Sequence, residues 1–209
     1  MIAIIDYNMG NIASVRKALE FLGGRVQVTS DPRVVAKAGA VIFPGVGAFG
    51  PAMRELKSRR LVAPIVGSIR EGKPFLGLCL GLQLLFESSE ESPGVAGLGV
   101  LRGKVRRMPA KNRLKIPHMG WNSLLKKGDK NPLLSGVPDG AHVYFVHSFY
   151  AQPEQRSAIA ATTEYGVRFP SVIWNGEKLW ATQFHPEKSH RAGLAVLKTF
   201  PTQRTLASC

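Results

Sequence analysis

The sequence predicts an α/β fold: an open, mixed and mostly parallel sheet flanked by helices, with an added antiparallel hairpin region. Strand-like and helix-like segments alternate in the first half of the chain, which is the pattern of a parallel sheet with helices on both faces. After Gly99 strand-like segments dominate, and the pair Asn175-Gly176 separates two of them, which is a strong hairpin signal. We expect residues 1–200 to form a single domain and residues 201–209 to be a disordered tail.

The composition is that of an ordinary globular protein. The 209 residues are 44% hydrophobic and 20% charged, which suits a chain with a sizeable core. No apolar run is long enough to span a bilayer, and the chain begins with a strand-like segment that lacks the basic region and cleavage site of a signal peptide. We therefore expect a cytoplasmic protein. The two cysteines, Cys79 and Cys209, provide neither a disulfide framework nor a metal-ligand spacing.

The net charge of +14 is unevenly distributed. Ten basic residues and one acid, Asp129, lie between Gly99 and Lys130, so this stretch supplies nine of the fourteen net charges. Such a stripe can bind nucleic acid, bind an acidic partner, or simply be a solvated face. Because no aromatic residues are interleaved from Arg102 to Lys115 and no nucleic-acid motif is present, we favour the partner or the solvated face.

Hydrophobic periodicity predicts the individual elements. Asn11 is a candidate N-cap for the first helix, and Gly23-Gly24 ends that helix. The predicted strands are Met1–Asp6, Arg25–Thr29, Ala40–Phe43, a buried strand ending at Cys79, Val100–Val105, His142–Phe149, Ser157–Thr162, and the hairpin Val172–Trp174 with Lys178–Phe184. The predicted helices are Ile12–Leu22, Arg33–Ala38, Pro51–Arg60, Val62–Arg70, Leu80–Phe86 (followed by an acidic turn, Glu87–Glu91) and Ser189–Phe200.

Cys79 is the strongest candidate for a reactive residue. It falls where a buried strand becomes a helix, with Gly77 and Gly81 two residues away on either side. This is the thiol counterpart of the Gly-x-Ser-x-Gly nucleophile elbow, whose tight turn exposes the nucleophile. The helix N-terminus also favours the thiolate, which is the reactive form. A cysteine in an apolar run is more often a small core residue, but a core cysteine does not need flanking glycines.

Two other segments have features of an active site. The loop Pro44–Gly50 either merely turns the chain or presents a backbone N–H to a ligand at the carboxyl end of a strand. It is not a phosphate-binding P-loop, because the Gly-Lys-Ser/Thr ending is absent. His185 follows the hairpin and lies two residues before Glu187. A lone histidine at a strand end is usually structural, but a base oriented by a carboxylate is what an activated thiol requires.

Three segments, in this order and spacing, resemble the class I (triad) glutamine amidotransferases: Pro44–Gly47, Gly77–Gln83 and His185–Glu187. Within that class the chain is similar, over Met1 to Phe200, to the glutaminase subunits of imidazole glycerol phosphate synthase in histidine biosynthesis. The segments that carry this closer resemblance are Asp6–Asn11, Pro44–Phe49, Pro117–Asn122, Tyr144–Phe149 and His185–Ser189.

The resemblance implies a chemical role for three side chains. Cys79 attacks the carboxamide carbon of glutamine, His185 takes and later delivers the proton that lets ammonia leave, and Glu187 orients the imidazole. The γ-glutamyl thioester is then hydrolysed to glutamate. The implied oxyanion hole consists of the backbone of Leu80 and, in the glycine loop, of Val46 and Gly47, so the conformation of that loop is a control point.

The resemblance also implies substrate and partner contacts, with no metal and no cofactor. Glutamine would contact Gly45, Gln83, Glu91 (facing the ammonium group) and the backbone near Ser148 and Phe149. The implied partner is a (β/α)₈-barrel cyclase. It forms a heterodimer with the glutaminase, receives the ammonia through its interior, and makes imidazole glycerol phosphate and an aminoimidazole carboxamide ribotide. The implied interface residues are Trp121, Tyr144 and Lys188.

Each of the binding residues has a simpler interpretation. Gln83 could lie on the surface of an amphipathic helix, and Glu91 could belong to a solvated acidic run. Trp121 could be a core aromatic residue, Tyr144 an inward strand residue and Lys188 a solvated lysine. Only the position of each side chain in the fold can distinguish these interpretations.

Two other functions stay open from the sequence alone. The same triad could serve a different synthase, as in the glutaminase of pyridoxal 5′-phosphate synthase. Alternatively, the chain could be a non-catalytic basic binding module on a doubly wound fold. In that case Cys79 would be unreactive, and the affinity for nucleic acid would depend steeply on salt.

Overall fold

The computed structural model describes residues 1–110 and 114–200. The tail expected at 201–209 lies outside the described residues, as do Lys111 and Arg113 of the basic stretch. In chain order the elements are β1 Ile2–Ile5, α1 Ile12–Phe21, β2 Val26–Thr29, α2 Pro32–Lys37, β3 Ala40–Gly45, α3 Phe49–Ser58, α4 Val62–Arg70, β4 Phe75–Cys79, α5 Leu80–Leu84, β5 Phe86–Ser89, β6 Leu101–Arg107, β7 His118–Lys126, β8 Ala141–His147, β9 Phe149–Pro153, β10 Ile159–Glu164, β11 Arg168–Trp174, β12 Leu179–Thr182 and α6 His190–Thr199.

Nine strands form the larger sheet, in the order β2-β1-β3-β4-β12-β11-β10-β7-β8. The strands from β2 to β12 in this order pair in parallel. The strands from β12 to β8 pair in antiparallel fashion, and β11 and β12 form the hairpin predicted at Asn175-Gly176. The predicted fold, a mixed sheet with an added antiparallel region, is confirmed.

Helices cover both faces of the parallel half of the larger sheet. On β1, Ile2 and Ile4 belong to a core that includes α1 and α6. Ala3 and Ile5, which point the other way, belong to a second core that includes α2, α3, α4 and α5. This alternation follows from the two-residue period of a strand. No helix in the described ranges is long and apolar enough to cross a membrane.

The parallel pairing brings the three candidate segments to one edge of the sheet. β4 lies between β3 and β12, and Gly45 at the end of β3 is the ladder partner of Cys79 at the end of β4. His185 follows three residues after β12 ends at Thr182. Ligands in open α/β sheets bind outside such carboxyl ends. The topology therefore defines where a site can form.

The helix predicted at Leu80–Phe86 is shorter than expected. α5 ends at Leu84, because the carbonyl groups of Leu84 and Leu85 accept hydrogen bonds from backbone N–H groups within residues 98–101 rather than from a further helical turn. The acidic turn predicted after the helix is wrong. Phe86–Ser89 forms β5, which pairs in parallel with β6 in a separate three-stranded sheet of order β5-β6-β9.

The single strand predicted at His142–Phe149 is two strands. β8 ends at His147 in the larger sheet, whereas Phe149 begins β9, which pairs antiparallel with β6 in the smaller sheet. Ser148 is therefore the residue at which the chain passes from one sheet to the other. Its carbonyl group accepts a hydrogen bond from the Met108 N–H at 2.9 Å, which anchors the junction.

Hydrophobic periodicity does not predict β7. Of its nine residues only His118 and Leu124 are buried, so buried and exposed positions do not alternate along β7 as they do in a typical half-buried strand. β7 nevertheless pairs with β8 from His118, opposite His147, to Leu124, opposite Ala141. Pairing with a neighbouring strand overrides a weak local pattern here, as is common for β-strands.

The packing around α5 predicts that a larger residue at Gly81 destabilises the fold. A Cβ atom at Gly81 would lie 1.9 Å from the carbonyl oxygen of Phe43, a backbone atom of β3. Gly81→Ala is expected to lower the free energy of unfolding by about 1–3 kcal/mol, because the sheet must shift to accommodate the methyl group. Urea denaturation of the purified chain measures the difference.

The matched control for this variant is Gly67→Ala on α4. An added Cβ there meets no atom of residues 1–110 and 114–200 within 4 Å, and alanine is favoured over glycine inside a helix by roughly 0.5–1 kcal/mol. The control is therefore expected to be neutral or stabilising. Equal unfolding midpoints for the two variants would contradict the packing at Gly81.

Candidate active site

Cys79 occupies a strained turn between β4 and α5. Its φ is 53° and its ψ is −105°, a combination that non-glycine residues adopt only at a cost and that is concentrated at functional sites. Gly77 and Gly81 make the turn possible, since a Cβ at Gly77 would come within 3.1 Å of the Gly81 carbonyl carbon. The geometry is that of a nucleophile elbow with a thiol in place of the hydroxyl.

His185 and Glu187 form a buried pair beside Cys79. His185 Nδ1 lies 2.8 Å from Glu187 Oε1, so Nε2 is the ring nitrogen left for chemistry. Among the described residues Nε2 has no partner in hydrogen-bonding geometry. Burial lowers the pKa of His185, but the negative charge of the Cys79 thiolate and the Glu187 carboxylate raise it, with a net value of about 10. The negative charges beside the ring therefore favour the protonated form of His185.

Backbone contacts fix His185 to the neighbouring strand β8. The His185 N–H donates to the Tyr144 carbonyl at 2.9 Å. The Ser189 hydroxyl donates to the His185 carbonyl at 2.6 Å and accepts from the Tyr144 N–H at 2.9 Å. Ser189 is buried, so this bridge is shielded from water. The position of His185 thus depends on the position of β8.

An open pocket of about 250 Å³ lies over Cys79. Eight of its lining residues are candidates from the sequence: Val46, Gly47, Cys79, Leu80, Gln83, Glu91, Ser148 and Phe149. Three were not among them: Pro117, Val146 and His147. The Cys79 Sγ lies 3.9 Å from the Val146 carbonyl oxygen and 3.7 Å from Gln183 Nε2, so polar groups already surround the sulfur.

Gly45 lies beneath the pocket and is not part of its lining. A Cβ at Gly45 would lie 2.4 Å from Tyr7 Oη and 2.9 Å from the Leu80 Cβ, so a glycine is required for β3 to approach the Cys79 turn. Burial, and then the negative charge of Cys79, raise the pKa of Tyr7. Tyr7 was not a candidate from the sequence, although it lies in the segment Asp6–Asn11.

Two residues of the glycine loop, Val46 and Gly47, line the pocket. The Val46 side chain is 38% exposed there, and Gly47 has a φ of 101°, which strongly favours glycine. On the opposite side, Leu80 is the first residue of α5, so its N–H is one of the helix donors without an intrahelical acceptor. The loop and the helix start therefore provide candidate donors on two sides of Cys79.

Gln83 and Glu91 both turn toward protein rather than solvent. Gln83 is 5% exposed, and its Nε2 donates to the Phe149 carbonyl at 2.9 Å and to Gln183 Oε1 at 3.2 Å. Glu91 is half-buried, and its Oε2 accepts the Phe49 N–H at 2.8 Å at the start of α3. The interpretations of Gln83 as a surface residue and of Glu91 as a solvated acid are therefore wrong.

The three candidate interface residues form one surface cluster with His190, here called the aromatic patch. Trp121 lies opposite Tyr144 across the β7–β8 ladder, with ring centroids 5.9 Å apart. Trp121 also stacks on His190 at 5.0 Å, and Lys188 Nζ lies 5.7 Å from the Tyr144 ring centroid. Because Trp121 is 46% exposed, it is not a core residue.

The described part of the basic stretch is largely solvent-facing. Arg102, Lys104 and Arg107 on β6 are exposed. Arg106 on the same strand pairs with Glu90, with a distance of 2.7 Å between Nε and Oε1. A partner for the stretch stays a prediction from the sequence.

The comparison with family models gives the class. The model for glutamine amidotransferase class-I matches residues 3–202. The chain therefore belongs to the class-I glutamine amidotransferase family. Two solved structures share its fold. PurLQS from Thermotoga maritima has a TM-score of 0.76 at 16% identity and 98% coverage of both chains. A glutamine amidotransferase has a TM-score of 0.70 at 20% identity, covering 94% of this chain and 99% of its own.

Curated relatives narrow the family further. The imidazole glycerol phosphate synthase subunit HisH of Geobacter metallireducens is 50% identical over 204 residues, which cover 95% of this chain and 96% of the relative. The subunit of the same name from Moorella thermoacetica is 52% identical over 199 residues, covering 95% and 93%. Within the class, the chain belongs with these HisH subunits.

The charge pair at His185 predicts a pH dependence of stability. The pKa of His185, about 10, exceeds its ordinary value of 6.5. Protonation of His185 therefore stabilises the fold fully below pH 6.5, and this contribution is lost as the pH rises through about 10. Over that window the free energy of unfolding of the wild type is expected to fall more steeply than that of His185→Asn. Urea denaturation at each pH measures both.

Cys79→Ala is the matched control for this measurement. Removing the thiolate removes the main charge that raises the pKa of His185. The excess slope is therefore expected to shrink in this variant. Parallel pH profiles for the wild type and His185→Asn would show that the two residues are not paired.

Proposed function

We propose that the chain is the glutaminase subunit of an imidazole glycerol phosphate synthase. It hydrolyses glutamine to glutamate and supplies the ammonia to a cyclase partner in histidine biosynthesis. The observation that carries the proposal is the strained turn at Cys79, beside the buried His185–Glu187 pair and beneath a pocket. The identity to HisH subunits supports this synthase over a pyridoxal 5′-phosphate synthase. The strained turn at Cys79 beside the buried His185–Glu187 pair argues against a non-catalytic binding module.

The reaction begins at the thiolate–imidazolium pair. Cys79 Sγ attacks the carboxamide carbon of glutamine, and the carbonyl oxygen takes up negative charge, which the N–H groups of Leu80 and Val46 stabilise. When the C–N bond breaks, His185 Nε2 delivers its proton and ammonia leaves, giving the γ-glutamyl thioester. Glu187 accepts the Nδ1–H throughout, which keeps Nε2 directed at the reacting atoms.

The second half of the reaction regenerates the enzyme. The neutral His185 takes a proton from water, the resulting hydroxide attacks the thioester carbon, and the C–S bond breaks to release glutamate and the Cys79 thiolate. The sum is glutamine plus water giving glutamate plus ammonia. Glu91 is suited to the substrate's ammonium group, and the backbone at Ser148 and Phe149 to its carboxylate end.

The catalytic assignment is tested with the two cysteines of the chain. Cys79→Ala is expected to abolish glutamine hydrolysis measured in the presence of the cyclase and its substrate, because the thioester cannot form. Cys209→Ala is the matched control and is expected to retain wild-type turnover. An electrophilic glutamine analogue should label Cys79 and not Cys209, as shown by peptide mass spectrometry. Normal glutaminase activity in Cys79→Ala would rule out the assignment.

We infer that the cyclase docks on the aromatic patch to form a heterodimer. Exposed aromatic and cationic side chains in a cluster are typical of the energetic centre of an interface. The patch residue Tyr144 and the pocket residue His147 lie on the same strand, β8. A partner on the patch would therefore contact a strand that ends in the wall of the pocket and whose backbone holds His185.

This interface predicts a difference between two exposed aromatic residues. Trp121→Ala is expected to weaken cyclase binding at least tenfold, as truncation of a central interface aromatic usually does. Phe21→Ala is the matched control, because Phe21 is 79% exposed on α1, outside the patch. Isothermal titration with the purified cyclase measures both affinities. Equal effects of the two substitutions would exclude the aromatic patch as the centre of the interface.

A further inference from the structure

Two buried histidines near the pocket have no part in the proposed mechanism. His118 on β7 and His147 on β8 are ladder partners. They are 2% and 6% exposed, and His118 Nδ1 lies 3.0 Å from His147 Nε2. Buried polar side chains are costly unless their hydrogen bonds are made. The hydrogen bonds of these two histidines must therefore offset the cost of burying them.

The surrounding contacts define one consistent set of tautomers. His147 Nδ1 lies 2.9 Å from the Phe149 carbonyl, which only accepts, so Nδ1 carries the proton and Nε2 accepts from His118 Nδ1–H. His118 Nε2 then accepts from Asn122 Nδ2 at 3.2 Å, and this amide also donates to the Glu164 carbonyl. The series of hydrogen bonds thus runs in one direction, from the Asn122 amide through His118 and His147 to the Phe149 carbonyl.

Both rings are neutral in this arrangement. Burial lowers the pKa of His118 to about 4. Burial, and next the charge of His118, lower the pKa of His147 to about 3. The His118 ring is also held in place by stacking on Phe145 at 4.8 Å and on Tyr165 at 4.0 Å. The hydrogen bonds and the packing thus determine its orientation independently.

The series of hydrogen bonds ends on a backbone carbonyl group that also accepts a hydrogen bond from a pocket residue. The Phe149 carbonyl accepts both His147 Nδ1–H and Gln83 Nε2–H, each at 2.9 Å. It belongs to the first residue of β9, immediately after the chain leaves the larger sheet at Ser148. Phe149 is the ladder partner of Arg107 on β6 in the smaller sheet, and the side-chain donors that reach its carbonyl are the His147 ring and the Gln83 amide.

We propose that His118 and His147 are positioning residues for glutamine binding. Together they form a relay that fixes the Phe149 carbonyl, and through it Gln83, at the pocket wall. The proposal rests on the proposed function, because the pocket is taken to hold glutamine. It assigns a role to two residues that contact neither the Cys79 sulfur nor the proton that His185 transfers. Loss of the relay is expected to weaken substrate binding and to leave the chemical step nearly unchanged.

Paired substitutions test the relay in the full chain with its cyclase. His118→Phe keeps the stacked ring and removes the donor, whereas His118→Asn restores a donor near the position of Nδ1. His147→Phe and His147→Asn make the same comparison at the Phe149 carbonyl. Each Phe variant is expected to raise KM for glutamine roughly 3- to 10-fold, the cost of one neutral hydrogen bond, with kcat nearly unchanged. The Asn variants are expected to recover most of the loss.

The double variant and the unfolding curves separate positioning from a purely structural role. Because the two rings act in series, His118→Phe with His147→Phe is expected to raise KM no more than the larger single effect. A lowered unfolding midpoint with KM unchanged would overturn the proposal. Equal KM values for the Phe and Asn variants at either position would also overturn it.

A spectroscopic measurement keeps this result distinct from the proposed function. In ¹⁵N NMR of the wild type, both rings are expected to be neutral and protonated at Nδ1 throughout the neutral range. Titration of either ring near its ordinary pKa of 6.5 would overturn the relay. Absence of glutamine hydrolysis by the wild type with its cyclase would instead overturn the proposed function.

Discussion

The contact between α5 and β3 determines most of what surrounds it. Gly81 lies against the Phe43 carbonyl with no space for a side chain, and Gly77 lies against Gly81. Only with glycines at these positions can the helix begin directly above the end of β4 while β3 pairs alongside. This packing holds Cys79 in the strained conformation with a positive φ. The strain is offset by the packing of the two buried cores on either side of the sheet.

The order of the strands in the larger sheet brings the other candidate residues to the turn at Cys79. β12 pairs with β4, and the segment after it returns His185 and Glu187 to the turn. The antiparallel strands added beyond β12 bring β8 back over the same edge, where its backbone bonds to His185 and its end forms the pocket wall. The parallel half positions Cys79, and the antiparallel half holds the backbone of His185 and closes the pocket. Neither half contains a complete site.

The sequence predicts the parallel half well, because buried strands and amphipathic helices have strong periodic signals. It also singles out Cys79, His185 and Glu187, which the structure brings to the same end of the sheet, since glycine spacing and a histidine followed by a carboxylate have chemical meaning locally. It fails at β5 and β7, whose strands exist because a distant segment pairs with them. His118 and His147 were missed for the same reason: each is unremarkable alone, and only the β7–β8 register brings the two rings together.

The contacts proposed for the pocket wall at Ser148 and Phe149 are made by main-chain atoms at the junction of two sheets. Carbonyl and amide groups are identical in every residue except proline. A substitution at Ser148 can therefore leave the main-chain surface that a ligand meets unchanged, provided that the path of the chain is kept. Residues that hold the path of the chain, such as Met108 through its hydrogen bond to the Ser148 carbonyl, therefore constrain this wall more than the side chain of Ser148 does.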